Sequence, residues 1–540
     1  MVWKEVIFEM SFDLIVKHVK IVDGTGAPWF KGDVAVKDGI ISYVGKLPQD
    51  SEAKEVISAN GKVLSPGFVD IHTHSDFLLL RDPVIVSKLK QGVTTQGIGQ
   101  CGLSPAPISS DKIHSLDQYL GFIKAGATPD WSWRSFGEWL EVLDDLDLGT
   151  NIFAFIGQGT IRLNVMGFED RAASEKEIQE MRNLVEISIE EGAFGMTSGL
   201  IYPPGVYSSE EEIMAVCRGL KKKNGLYESH MRSESGGVVR GIEETLKVAE
   251  KHDIPVQVSH HKALGKKNWG LVNQTLEAVE KARIKGIDIT LNQYPYTSCS
   301  TTLRSILPPW VNEGGVDKVL QRLKDSSLRE KVKIEIETTS NWENMYLHAD
   351  GAAGVHILYS PLTPEFEGKT LIEISQEMKA DPLDAAFNLI VANEGSDNAC
   401  FDSISEDDVK YVMKNPYVMV ASDSIPAAEG AKTHPRTCGT NPRVLGKYVR
   451  EEKTLTLEEA VWKMSGFPAW RMGLQNKGII REGMDADLVI FDPEEVEDRA
   501  TFEEPFQEPS GIDYVFVNGV KTIHQGEFTG RTGGRVLRKK

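Results

Sequence analysis

Cysteine is scarce: Cys101, Cys217, Cys299, Cys400 and Cys438 are the five in 540 residues. An odd number so scattered excludes a disulfide framework and makes a reducing cytoplasm the expected compartment. It also leaves a cysteine near histidines free to be a metal ligand or a nucleophile. Long apolar runs are missing too, and no stretch approaches the ~20 residues of a membrane-spanning helix. The opening MVWKEVIFEM holds two glutamates and no long apolar core, which reads against a signal peptide. Positive charge is in deficit, 60 Lys and Arg against 79 Asp and Glu, a net −19. Such a surface repels a phosphate backbone, so neither nucleic acid nor a membrane is an expected partner. An anionic small molecule would need a local basic pocket. No internal repeat or low-complexity tract occurs, and no GxGxxG or P-loop follows a strand-like run.

What is present is the composition of a soluble globular chain, too long for one hydrophobic core to serve. Both ends read as short strands ending at glycine: FDLIVKHVKIVDG, GDVAVKDGIISYVG and KEVISANGKVLSPG at one, DADLVIFDP and IDYVFVNGVKTIHQGEFTG at the other. They predict one small β-domain built from residues 1–63 and 478–540. Between them strands alternate with helices. SEKEIQEMRNLVEISIEEG opens on a capping box, Ser174 to Glu177, and stops at Gly192. SEEEIMAVCRGLKKKNG repeats that design from Ser209 to Gly225, and the strand LYESH follows. A helix around IEETLKVAEKHD then leads into the strand PVQVSH. Alternation over residues 64–477 predicts a parallel α/β fold of barrel length, a (β/α)8 TIM-like barrel, with a doubly wound sheet as the alternative. The run LPPWVNEGGVDKVLQRLKDSSLREKVKIEIE breaks the rhythm and marks a helical insertion around 300–350.

The strongest chemical signal is GFVDIHTHSD. Residues two apart in a strand share a side, so His72 and His74 can grip one metal ion. Other candidate ligands end apolar runs in the same way: Cys101 after GVTTQGIGQ, His230 in LYESH, His260 in PVQVSH and Asp423 in YVMVASD. The carboxyl ends of barrel strands are where such enzymes place their sites. Strand alternation lets only one of His260 and His261 face inward, and His260 ends the strand proper. Imidazole, thiolate and carboxylate together suit Zn2+, and the same ligand types admit Fe2+ or Co2+. Zinc makes water acidic enough to supply hydroxide near pH 7. A carboxylate beside that water can take its proton and pass it to a leaving nitrogen; Asp423 is the candidate.

These residues stand in motifs that resemble the amidohydrolase superfamily, and within it the N-acyl-D-amino-acid deacylase (D-aminoacylase) family, over nearly the whole chain. VLSPGFVDIHTHSD and GIIREGMDADLVIFDP are similar to the two superfamily signatures. GQCGLSPAP, FGMTSGLIYPPG, YESHMRSE, VSHHK, YPYT and THPRTCGTNPRVLGKYVRE resemble the deacylase subgroup. The resemblance implies a barrel fused to a β-sandwich made from both termini, and hydrolysis of an N-acyl-D-amino acid. It implies that Cys101 replaces a bridging carboxylated lysine, that Cys101, His230 and His260 hold the tighter metal, and that His72, His74 and Asp423 form a second, weaker site. It further implies that Lys262 and Arg436 bind the substrate carboxylate, Arg through its planar fork, while Tyr202 and Tyr294 orient the substrate. Two departures stand out. Gln158 in GQGTIR replaces a histidine of the family's GHGTxR, and the loop SIPAAEGAKTHP before Arg436 is slightly long. Rival readings are a cyclic-amide hydrolase of the hydantoinase or dihydroorotase kind, a peptidase of dipeptides ending in a D-residue, and a non-catalytic scaffold. The six candidate ligands argue against the scaffold.

Overall fold

The computed structural model describes residues 12–540 apart from 60, 125, 340, 426 and 428–431. The opening MVWKEVIFEM and the middle of the SIPAAEGAKTHP loop lie outside the described residues.

Glycine-bounded hairpins build the first sheet. Asp38 and Gly39 both take positive φ (50° and 76°), the type I′ turn that matches strand twist, and join Phe30–Lys37 to Ile40–Gly45. Asn518 and Gly519 (49° and 81°) do the same between Ile512–Val517 and Val520–His524. The two hairpin tips touch: a Cβ on Gly39 would meet the Asn518 carbonyl at 2.7 Å. Val63–Pro66 stitches the ends of the chain together. It lies parallel to Phe12–Ile21 on one side and antiparallel to Leu488–Phe491 on the other, within a nine-stranded sheet.

The barrel follows. Its parallel strands are Phe68–Asp70, Val93–Ile98, Asn151–Ala154 continued as Ile156–Gly157, Gly195–Gly199, Leu226–His230, Val256–Val258, Ile289–Gln293 and Val418–Val420. Buried on both faces, they carry near-continuous apolar or small residues. Phe155 N–H donates to Ile98 O, and Phe194 N–H to Ala154 O. The ring closes where Thr73 bridges Ser424 and Asp423 N–H donates to His72 O at 2.9 Å. Behind that seam the buried Lys88 Nζ lies 2.8 Å from Asp70 Oδ2, Ser422 Oγ and Ser424 Oγ.

Helices cover the strands. Ser174 accepts from Glu177 N while the Glu177 carboxylate accepts from Ser174 N, the expected capping box of Glu175–Glu190. Ser209 likewise caps Glu210–Cys217, whose tail tightens into a 3-10 turn over Arg218–Lys223. Between Ile289–Gln293 and Val418–Val420 the chain leaves the barrel. The helices Val316–Leu323 and Ser326–Thr338 fall in the segment expected to be inserted, and the excursion runs on through Leu371–Met378 and Pro382–Ala392. Ser298–Thr302, Asn398–Asp402 and Val355–Tyr359 form its antiparallel sheet. Ser300, Thr301 and Met345 of this excursion roof the cavity at the barrel mouth. Among the described residues no helix is long and apolar enough to cross a membrane, and all five cysteines are buried and unpaired.

Candidate metal centre

His72 and His74 lie just beyond Phe68–Asp70 rather than within a strand. The link stays extended because Thr73 N–H bonds Gly97 O and His74 N–H bonds Ser424 O, so the two-residue period survives. Both imidazoles reach one carboxylate oxygen: Nε2 of His72 and of His74 lie 3.3 and 3.4 Å from Asp423 Oδ1. Cys101 Sγ stands 3.3 Å from Nε2 of His72 and 3.3 Å from Nε2 of His260. Ligating atoms of His72, Cys101, His260 and Asp423 fall within 4.8 Å of one another, all buried, and so do those of His230, Glu234 and His260. The rings of His230 and His260 meet edge to face at 4.4 Å.

Three of these residues sit in left-handed backbone, Cys101 at φ 53°, His260 at 33° and Asp423 at 49°. Such conformations cost about 1–3 kcal/mol each and persist where surroundings impose them. Here each turns the chain at a strand end and aims its side chain over the barrel axis. The turn at His260 also separates the histidine pair. His260 faces the centre, its N–H bonded to Asn292 Oδ1 at 2.6 Å. His261 turns away to Thr275 Oγ1 at 2.8 Å, and burial pulls its pKa down to about 4.

Burial alone would lower His72, but Cys101 and Asp423 hold it well above the usual imidazole value; the other three imidazoles are left neutral, as a cation needs. Burial drives His230 and His260 well below the usual imidazole value, and His74 below it as well. Burial alone would raise Asp423, but the charge of Arg436, followed by the influence of the surrounding histidines His260, His72 and His74, outweighs it and holds the carboxyl well below the usual range. Burial pushes the Cys101 thiol up to about 11, so a thiolate here requires a cation beside it. Among the described residues, both ring nitrogens of His230 are buried without a hydrogen-bond partner, as is Nδ1 of His74. Each orphaned buried polar atom costs about 1–3 kcal/mol. A metal ion taking one nitrogen of His230 would relieve that atom, and the donor set of neutral imidazole, carboxylate and sulfur is one that zinc takes.

Two residues escaped the sequence reading. Glu228 accepts from Ser259 Oγ, Asn292 Nδ2 and Gln257 Nε2 and holds His72 Nδ1 at 3.1 Å. It lies two residues before His230 in one strand, so alternation places both on the same side. Glu234 holds His260 Nδ1 at 2.9 Å and Lys262 Nζ at 2.8 Å. It comes from the loop after the strand, where no periodicity marks it.

The expected substrate contacts divide. Lys262, Tyr202 and Tyr294 line the cavity. Tyr294 Oη has no hydrogen-bond partner among the described residues, whereas Tyr202 Oη shares a hydrogen bond with Thr301 Oγ1 at 2.8 Å. Arg436 is not in the cavity wall. It is 0% exposed, lies with Nη1 2.8 Å from Asp423 Oδ2, and is stacked on Tyr294 at 4.6 Å. Gln158 donates to Ser208 Oγ at 2.9 Å, away from the ligands. His434 pins its own loop, accepting from Arg436 N–H and contacting Ser298 O at 3.1 Å.

A barrel with convergent metal donors at the carboxyl ends of its strands places the molecule among metal-dependent hydrolases. The "Amidohydrolase family" model matches residues 55–327 and 376–527, and the chain belongs to that family, in its D-aminoacylase branch. It is 34% identical to a D-aminoacylase of Alcaligenes xylosoxydans xylosoxydans over 97% of each chain. A crystal structure of D-aminoacylase superposes with TM-score 0.83 at 34% identity, covering 98% of this chain and 100% of that one. The N-acyl-D-glutamate deacylase of Bordetella bronchiseptica, solved with zinc and a phosphonate mimic of the tetrahedral intermediate, gives TM-score 0.83 at 32% identity, with 98% and 100% covered.

Proposed function

We propose that the protein is a zinc-dependent deacylase that hydrolyses N-acyl-D-amino acids to a carboxylate and a free D-amino acid. The observation that carries this reading is the buried quartet His72, Cys101, His260 and Asp423, in a chain like D-aminoacylase over nearly its full length. Cys101, His230 and His260 would hold one zinc ion, and His72, His74 and Asp423 a second. The Cys101 sulfur is equidistant from His72 Nε2 and His260 Nε2, one histidine of each set. Zinc held there supplies Lewis-acid chemistry, polarising an amide carbonyl and making water acidic enough to attack it.

The chain's own residues manage the proton and the substrate. Arg436 pins one oxygen of Asp423 and leaves Oδ1 toward the histidines. Already ionised, Asp423 takes the proton of the attacking water as oxygen bonds to the acyl carbon. It gives that proton to the nitrogen as the C–N bond breaks. Lys262 and the free Tyr294 hydroxyl meet the substrate's α-carboxylate, and Arg436 supports them from behind Tyr294. Tyr202, packed edge-on against His230 at 5.1 Å, walls the acyl end. The same reading divides the chain into a β-domain (residues 1–63 and 478–540) and a barrel (64–477), and the five free thiols suit a reducing cytoplasm.

Purified protein is assayed with N-acetyl-D- and N-acetyl-L-amino acids and with hydantoins, after chelation and after zinc is restored. Zinc-dependent release of free D-amino acids is expected. Turnover of hydantoins alone, or full activity in chelated protein with no bound metal, refutes the proposal.

A further inference from the structure

His260 stands between two buried groups that ask opposite things of it. A histidine ligates a metal as neutral imidazole, through the nitrogen that carries no proton. Nε2 of His260 faces the centre, 3.3 Å from Cys101 Sγ. The opposite nitrogen, Nδ1, lies 2.9 Å from Glu234 Oε1 and 2.9 Å from Lys262 Nζ. A carboxylate oxygen can only accept, so a bond to Glu234 requires the proton on Nδ1 and leaves the Nε2 lone pair to a cation. An ammonium can only donate, so a bond from Lys262 requires the proton on Nε2, where it blocks a metal.

The surroundings favour Glu234. Its loop is fixed twice: its N–H donates to Glu343 Oε2 at 2.7 Å, and its carbonyl accepts at 2.7 Å from the N–H of Leu264, two residues past Lys262. Glu234 Oε1 also accepts from Lys262 Nζ at 2.8 Å, and the carbonyl of His260 accepts from the same ammonium at 2.9 Å. These two bonds engage two of the three donors of a lysine. With the proton on His260 Nδ1, the third has no acceptor there and is left for the cavity that Lys262 lines. Oε2 of Glu234 lies 3.5 Å from Nε2 of His230, so one carboxylate borders both histidines of the proposed Cys101 zinc site.

Resting on the zinc-deacylase reading, we propose that Glu234 is a positioning residue that fixes the tautomer of His260, giving Nε2 of that ring to the metal and one N–H of Lys262 to the substrate's carboxylate. Zinc affinity of the full chain is measured by chelator competition in wild type, Glu234→Gln, Lys262→Met and the double variant. An amide both donates and accepts, so Glu234→Gln no longer selects the tautomer and Lys262 does. Zinc should then bind about tenfold or more weakly. Lys262→Met in that background should recover most of the loss, whereas alone it should change zinc affinity by less than about twofold, a non-additive cycle. Undiminished affinity in Glu234→Gln overturns the proposal, and so does a loss that survives removal of Lys262, as it would were Glu234 itself a ligand. An equal gain from Lys262→Met in both backgrounds, the mark of simple charge repulsion, overturns it too. At saturating zinc, Glu234→Gln should still raise KM for N-acetyl-D-methionine by a larger factor than it lowers kcat; an unchanged KM overturns the part assigned to Lys262. Zinc binding is read without substrate. A chain that follows this cycle yet turns over no N-acyl-D-amino acid therefore refutes the deacylase reading and leaves Glu234 its role at His260, whereas wild type that binds no zinc removes both.

Discussion

Asp423 is the proposed acid–base group, and its environment suits that role. One oxygen faces two imidazoles and the other an arginine that solvent does not reach. Asp423→Ala should lower kcat by a factor on the order of 10²–10⁴, the usual worth of a positioned acid–base group, while zinc remains at Cys101, His230 and His260. Metal analysis beside the assay checks this, and retained activity would remove Asp423 from the mechanism. Glu228 makes a different prediction, since it touches His72 without lining the cavity. Glu228→Gln should weaken zinc binding by about 10–100-fold, as loss of such outer partners does, measured by competition with a chelator; an unchanged affinity would show that His72 is oriented without it. The six candidate ligands were legible because each ends an apolar run. The choice of His260 over His261 followed from alternation, although a positive φ at His260 completes the turn. Glu234 and the withdrawal of Arg436 behind Tyr294 were not legible, because both depend on loop paths that no sequence period reports.

Local rules account for the elements. The capping box on Glu175–Glu190 is reinforced by Arg171, whose fork is the main cause holding Glu177 well below the usual carboxylate range, with the Ser174 bonds next. A carboxyl depressed on folding lends stability that is present above its unfolded value and lost as pH falls through the folded one. Glu177→Gln should therefore cost stability at neutral pH and flatten the acid limb below about pH 4.5. Ser174→Ala should cost about 1 kcal/mol. Thermal melts at a series of pH values test both, and parallel curves for wild type and Glu177→Gln would refute the linkage. Glycine-bounded hairpins were equally readable, since Asp38-Gly39 and Asn518-Gly519 supply the positive φ that the turn demands. The IHTH motif shows the limit of local reasoning: His72 and His74 lie outside the strand, and an extended link held by Gly97 and Ser424 gives them their shared direction.

At the scale of the whole molecule, the seam between the first and last barrel strands decides whether the centre exists. His72 and His74 arrive on one side of it and Asp423 on the other, and Lys88 ties Asp70 to Ser422 and Ser424 beneath them. Lys88→Met leaves Asp70 as an uncompensated buried charge, a loss of about 3–5 kcal/mol. Lower thermal stability together with reduced zinc retention is expected; a melt like that of the wild type would show that the seam closes without Lys88. The excursion between Ile289–Gln293 and Val418–Val420 completes the site from above, bringing Ser300, Thr301 and Met345 over the ligands.

The order of residues alone determined the alternation of strands and helices, the β-rich ends, the caps and turns, and the six ligand candidates. Each of these rests on a period or a spacing of a few residues. The tertiary structure decided what meets across large separations: Cys101 between His72 and His260, Glu228 on His72, and Arg436 on Asp423. Those contacts depend on barrel closure and on loops crossing its mouth, and chain-distant contacts of that kind leave no local pattern to read.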